Sequence, residues 1–330
     1  MDLPLGYKSK SSGLVCKLNK SIYSLRQASR KWFYKFTLAL LTHKFKQSKH
    51  DYLLFSYGSG DKIIYWLVYV DDIILASPSK DMMHKVQKLL EASFKLKILG
   101  DLKYFLGLEL AKSSDGIILS QRKYALSILE DTNFTDSKSV SLPMEANLRL
   151  SDSDGDLLAD SSIYRRLIGR LMYLTISRPD ITYAVSTLSQ FSSKPRTTHM
   201  NALHHLLRYL KGTVGQGLLF SAKSEKRLIN YADVDWAGCP DTRRSVSGYC
   251  VFIGDSLIFW RSKKQQTISR SSAESEYRAM AAVAAELTWL TGLLSDFQIK
   301  APSSMLFCDS MSAIHIASNP HFTRGLRILR

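Results

Sequence analysis

Residues 63–76 read IIYWLVYVDDIILA. Two apolar runs rich in Ile, Val and Tyr meet at the adjacent acids Asp71 and Asp72, and Pro78 follows as a stop. This pattern predicts an apolar β-hairpin with both carboxylates at its tip. Like charges so close resist joint ionisation unless a cation sits beside them. Mg²⁺ meets that need, since it takes one or two carboxylates together with phosphate oxygens. On spacing alone an exposed polar turn explains the pair as well, because Asp is common in turns.

Outward from the hairpin, short β-type runs alternate with amphipathic helical ones. Residues 14–18 and 52–56 read as strands, and 26–45 as a helix with Trp32, Phe36, Ala39, Leu40 and His43 at helical spacing. A second hairpin is expected to join 104–110 with 116–120. Residues 151–160 are acidic and contain Gly155; Asp152, Asp154 and Asp156 lack the Gly and Glu of a calcium loop at its sixth and twelfth positions, so a solvated linker is expected. From 162 to 210 the pattern is helical, interrupted at Arg178-Pro179-Asp180 and Lys194-Pro195. His204 and His205 are adjacent and diverge by about 100° on a helix, which separates them as metal ligands.

The chain of 330 residues carries 45 Lys+Arg against 29 Asp+Glu, a net charge of +16, which favours a polyanionic partner. Its 45% hydrophobic and 22% charged residues exclude a disordered, collagenous or long coiled-coil protein. No apolar run approaches the roughly 20 residues of a bilayer span, and no export signal is visible. The four cysteines are scattered, without a paired spacing suited to zinc.

From residue 227 the predicted order is strand 227–236, strand 248–253, strand 257–262, helix 272–290, strand 305–308 and helix 310–317, with Gly254-Asp255 as a two-residue turn. That order describes a mixed sheet covered by helices. It carries a second set of acids. Asp233 and Asp235 share one strand face by alternation. Glu274 and Glu276 open the long helix, where Ser271 and Glu274 fit a capping box. Asp309 follows the last strand, where an N-cap is the plain alternative. The end of the first strand, the start of the helix and the end of the last strand can converge, as a two-metal site requires. Arg243, Arg244, Arg261, Lys263, Lys264 and Arg270 flank these acids and suit either phosphates or a solvated face.

Tyr69-Val70-Asp71-Asp72 resembles the polymerase motif of reverse transcriptases in the form typical of copia-type LTR retrotransposons. Upstream, residues 15–23 (VCKLNKSIY), Leu25-Arg26-Gln27-Ala28 and Trp32 are similar to the family's segment whose Gln lies near the incoming nucleotide, with Ser24 and Ser29 in place of the usual Gly and Pro. Residues 105–110 (FLGLEL) resemble its primer grip, and 174–181 (LTISRPDI) its connecting region. Residues 231–239 (YADVDWAGC), 271–277 (SSAESEY) and 307–309 (FCD) resemble the ribonuclease H domain of the same elements.

The resemblance implies an α+β, mixed fold: a reverse-transcriptase palm remnant in 1–139, a linker and helical connection in 140–225, and a ribonuclease H-like mixed α/β sheet in 226–330. It implies catalytic, metal-holding roles for Asp71, Asp72, Asp233, Glu276 and Asp309, with Asp235 second in line for the first ribonuclease H position. Gln27, Tyr69, Phe105, Leu106 and Gly107 would contact nucleotide and primer, and Arg243, Arg244, Lys263 and Lys264 the nucleic-acid backbone. Mg²⁺ or Mn²⁺ is the implied cofactor. The implied partners are an RNA template, a DNA primer and an RNA:DNA hybrid, with pairing to longer Pol products and no membrane. The family's first polymerase acid, its fourth ribonuclease H acid and a nearby His find no match here, so a chain cut at both ends with impaired chemistry is expected. The alternative is a non-catalytic nucleic-acid-binding relic or the product of a pseudogene.

Overall fold

The computed structural model describes residues 27–70, 72–300 and 303–319, together with 15–19, 22 and 25; Asp71 lies outside the described residues. The chain divides into two compact units, one of residues 1–98 with 296–298, the other of 99–295 with 299–330. The expected three-part division remains one of family resemblance.

In the first unit, helix α1 (Ala28–Thr42) turns Trp32, Phe33, Phe36 and Leu40 onto one face and stops before Lys44, whose φ of +66° breaks the helical path. Strands β1 (Lys46–Gln47), β2 (Leu54–Tyr57), β3 (Ile64–Tyr69) and β4 (Asp72–Ala76) follow in sheet order, all antiparallel. Alternation along β3 buries Ile64, Trp66 and Val68 against Phe36, Phe55 and Leu90, the last from helix α2 (Lys80–Glu91). Ser79 caps α2 by accepting from the Met82 N–H at 3.3 Å. The expected strand at 14–18 is not formed: its described residues 15–18 are unpaired, with Val15 69% exposed. Without a buried face, an apolar run has nothing to fix it as a strand.

The second unit opens with strands β5 (Tyr104–Phe105), β6 (Leu108–Lys112) and β7 (Gly116–Ser120). The expected continuous strand over 104–110 is broken, because Leu106 and Gly107 both have positive φ (+49° and +76°) and form a two-residue turn. Helices α3 (Arg122–Asp131), α4 (Ser162–Leu174), α5 (Thr182–Ser189) and α6 (Thr197–Gly212) pack around Ile128, Tyr164, Leu171, Leu188 and Leu206 before strand β8 (Gly217–Ser221) returns to pair with β7. Residues 151–160 are a loop, as expected, but an anchored one: the Ser151 hydroxyl donates to Asp241 at 2.6 Å, and Arg196 donates to the Gly155 carbonyl at 2.7 Å.

The break at Arg178-Pro179-Asp180 is a short 3₁₀ turn with a structural task. Arg178 is 2% exposed; its guanidinium donates to both Asp180 oxygens at 2.9 and 2.6 Å and to the Thr213 carbonyl at 2.9 Å. Burial by itself would raise the Asp180 carboxyl, yet Arg178 and the Tyr209 hydroxyl hold it below the usual range. This pair ties the start of α5 to the end of α6.

The last sheet runs in the order β11 (Ser256–Lys264), β10 (Val246–Ile253), β9 (Leu228–Asp235), β12 (Met305–Phe307). The first three pair antiparallel, and β12 lies parallel to β9 after the crossover helix α7 (Ser272–Asp296). Helix α7 buries Ala279, Met280, Val283, Leu287, Leu290 and Leu294 over the β9 residues Leu228 and Ala232. A final helix, α8 (Met311–Ser318), adds Ala313 and Ala317.

Replacing Asp180 by Ala strands a buried guanidinium. The expected loss is about 3 kcal/mol or more of unfolding free energy in urea titrations; a change within experimental error would refute the assigned role.

Candidate nucleic-acid-processing site

Parallel pairing of β9 and β12 sets the geometry. The last registered pair is Tyr231 with Phe307, whose rings stack at 5.2 Å, and each strand carries an acid two residues further on, Asp233 and Asp309. Both acids therefore leave the sheet at the same end. Glu276 approaches from the second turn of α7 and is only 7% exposed. Its position in the helix is seven residues before Val283, so it lies on the stripe that packs against the sheet.

Burial first, then the carboxylates of Asp309 and Asp233, push the Glu276 carboxyl up to about 7. The three acids thus feel one another as charges in a partly dehydrated corner. The carboxyl group of Asp235, weighed for the same position as Asp233, fills the space beside the Cα of Gly238 in the following turn.

Glu274 serves the helix start. Its N–H donates to the Ser271 hydroxyl at 3.1 Å, and its carboxylate accepts from the Arg270 N–H at 2.8 Å and from Arg278 at 2.7 Å. Asp309 is not the cap of α8. Ser310 takes that task, accepting from the Ala313 N–H at 3.3 Å, and leaves the exposed Asp309 carboxylate free for the site. The adjacent Cys308, which sequence reasoning did not single out, lies among the acids: ligand atoms of Glu276, Cys308 and Asp309 are all within 4.8 Å of one another. Two potential N-cap residues in succession, Asp309 and Ser310, were the available sign that one of them was spare.

Of the basic residues, Arg243 sits at a φ of +53° in the turn between β9 and β10 with Arg244 beside it, and Lys263 and Lys264 pair with Ser247 and Val246 at the end of β11. Lys264 is turned toward Cys239, 3.5 Å from its sulfur. A cleft of about 310 Å³ adjoins Asp233, lined by Tyr183, Tyr231, Tyr249, Trp260 and Arg261 among others.

The hairpin residues fall into two groups. Gln27, immediately before α1, and Tyr69 and Asp72, paired across the tip of β3 and β4, are exposed and belong to the first unit. Between them Val70 has a φ of +51°, a costly conformation for a β-branched residue and one found at functional turns. Phe105, Leu106 and Gly107 belong to the second unit, where the Tyr173 hydroxyl of α4 donates to the Leu106 carbonyl.

Residues 1–146, a span that takes in the β3/β4 hairpin and the Leu106-Gly107 turn, match the reverse transcriptase (RNA-dependent DNA polymerase) family. Over 98% of its length the chain is 40% identical to the retrovirus-related Pol polyprotein from transposon RE1 of Arabidopsis thaliana. It is also 30% identical to a transposon Ty5-1 protein of Saccharomyces cerevisiae, covering 83% of this chain and 90% of that one. The chain belongs to the family of Pol polyproteins of copia-type retrotransposons and includes reverse transcriptase sequence. It spans 22% of the length of the RE1 polyprotein. Among solved structures, a foamy viral protease-reverse transcriptase in complex with dsDNA covers 92% of this chain and 55% of its own at 12% identity, with a TM-score of 0.46, too loose a likeness to assign a fold.

Two outcomes follow from this geometry. In chelator, the native state keeps a proton on Glu276 that the unfolded chain releases near 4.5, so its contribution to stability is full below that pH and lost as pH rises through about 7. The melting temperature should fall across that interval and Glu276→Gln should flatten the fall; an equal slope in both proteins would contradict the assignment. Separately, a Cβ at Gly107 would lie 3.0 Å from the Tyr173 hydroxyl at a φ of +76°. Gly107→Ala should therefore cost about 1–2 kcal/mol in denaturant titrations.

Proposed function

We propose that this chain acts on RNA:DNA hybrids, cutting the RNA strand at Asp233, Glu276 and Asp309 in a ribonuclease H-like domain, alongside its reverse transcriptase residues. The observation that carries the reading is the buried Glu276 of α7, raised to about 7 by burial first and then by the charges of Asp309 and Asp233, with Asp309 in its close group of donors and Asp233 outside that group. The sheet order third, second, first, fourth, with the fourth strand parallel to the first, supports it.

Mutual repulsion among three carboxylates is relieved by a divalent cation, and oxygen donors suit Mg²⁺ or Mn²⁺. When bound, such ions stabilise charge at the scissile phosphate and favour deprotonation of the attacking water. The exposed Asp233 and Asp309 would face the substrate side, and the buried Glu276 would anchor the site from behind. Arg243, Arg244 and Lys263 would hold backbone phosphates, whose neutralisation supplies affinity without sequence choice. In the polymerase part, Asp71 and Asp72 would hold metal, Gln27 and Tyr69 would meet the nucleotide, and Phe105, Leu106 and Gly107 the primer. Only two of the three polymerase acids implied by the resemblance have counterparts among these 330 residues, so the polypeptide tested alone should be impaired in primer extension.

The test is cleavage of a labelled RNA:DNA hybrid by the purified chain with Mg²⁺. Outer-shell partners of metal ligands are worth 10–100-fold, so Asp309→Asn or Glu276→Gln should lower the rate by at least about 100-fold. The net charge of +16 favours a second reading, binding without turnover. Salt-dependent hybrid binding with no cleavage, unchanged by Asp309→Asn, would select that reading and reject the first.

A further inference from the structure

Among the described residues of the carboxylate corner, Cys308 is a donor that the hydrolytic reading leaves without a task. Its thiol donates to Glu276 Oε2 at 3.8 Å, and the Asp309 carboxylate completes a group of ligand atoms within 4.8 Å of one another. We propose that Cys308 makes this corner a binding site for soft divalent cations, Zn²⁺ or Cd²⁺, held by Cys308 Sγ with Glu276 and Asp309 in competition with Mg²⁺.

Distances and donor chemistry point the same way. Sulfur and oxygen sharing one tetrahedral Zn²⁺ stand about 3.6 Å apart, from Zn–S of about 2.3 Å and Zn–O of about 2.1 Å. The 3.8 Å between Cys308 Sγ and Glu276 Oε2 is close to the sulfur–oxygen spacing on Zn²⁺. Thiolate also selects by softness: it contributes little to Mg²⁺ but strongly to Zn²⁺ and its heavier congener.

Backbone geometry holds the donors where they are. Cys308 and Asp309 follow directly on β12, which is pinned to β9, and the buried Glu276 rides on a helix whose apolar stripe is locked into the core. The donors, within 4.8 Å of one another, draw together as the ion enters. On binding, the Cys308 S–H proton passes to the buffer, the sulfur keeps the bonding pair and donates it to the cation, and no oxidant or reductant is involved. Asp233 is then free to complete the coordination or to remain toward solvent. With a soft ion seated, Mg²⁺ is excluded from the same carboxylates, so the metal works as an inhibitor.

This inference rests on the proposed hydrolytic site only for its inhibitory consequence; the binding itself can be read without turnover. The intact chain is treated with iodoacetamide, alone, with equimolar Zn²⁺ and with equimolar Mg²⁺, and alkylation at each of its four cysteines is followed by mass spectrometry. Zn²⁺ is expected to slow alkylation of Cys308 by at least about tenfold, because a coordinated thiolate is withdrawn as a nucleophile. Mg²⁺ is expected to leave it unchanged. In parallel, Cd²⁺ titration should produce a thiolate-to-cadmium charge-transfer band that saturates near one equivalent, is lost in Cys308→Ser and persists in Cys239→Ser. Equal alkylation of Cys308 with and without Zn²⁺, or a band indifferent to Cys308→Ser in a variant with normal circular dichroism, overturns the proposal. Protection of Cys308 in a chain that never cuts a hybrid removes the hydrolytic reading and leaves the metal site standing; cutting without protection does the reverse.

Discussion

One helical stripe governs the second unit. Glu276 shares the face of α7 that carries Ala279, Met280, Val283, Leu287, Leu290 and Leu294 into the core. Each large apolar side chain there contributes roughly 1.5–3 kcal/mol by leaving water, and no rotation of the helix keeps those contacts while releasing Glu276 to solvent. The acid is thus held buried by the packing of its neighbours. Its raised pKa is the electrostatic cost, and the core offsets it.

The parallel pair β9 and β12 does the rest. Antiparallel neighbours would carry their C-terminal acids to opposite ends of the sheet, whereas a parallel pair delivers Asp233 and Asp309 side by side. The connection between the two strands includes α7 itself, so the element that makes the parallel crossing possible also supplies the third acid. Division of labour at the end of β12 matters equally. Ser310 satisfies an otherwise orphaned N–H of α8, which leaves Asp309 with its charge uncommitted.

At the turns about Val70 and Leu106 the backbone bears the unusual conformation. Val70 and Leu106, neither a glycine, both adopt left-handed φ. Such conformations cost of order 1–3 kcal/mol and persist where surrounding pairing over-determines them. Around Val70 the pairing is the long β3/β4 ladder; around Leu106 it is the short β5/β6 ladder with the Tyr173 hydroxyl on the Leu106 carbonyl. The motif letters at these tips correspond to turns whose shape is imposed by the strands behind them.

Much of this was legible in the sequence alone. The hairpin of β3 and β4, the strand order from residue 227 onward and the candidacy of Asp233, Glu276 and Asp309 come from periodicity, turn residues and motif resemblance, because these are encoded in local spacing. Short-range signals could not show that 104–110 breaks at Leu106, that β8 returns to β7 across nearly the whole helical region, or that Arg178 is a buried strut. Each depends on partners distant in the chain. The release of Asp309 by Ser310 and the entry of Cys308 beside Glu276 and Asp309 likewise belong to tertiary structure. Alternation and spacing can say that two side chains share a face, but only strand register and the packed depth of α7 decide which charges come close enough to repel one another.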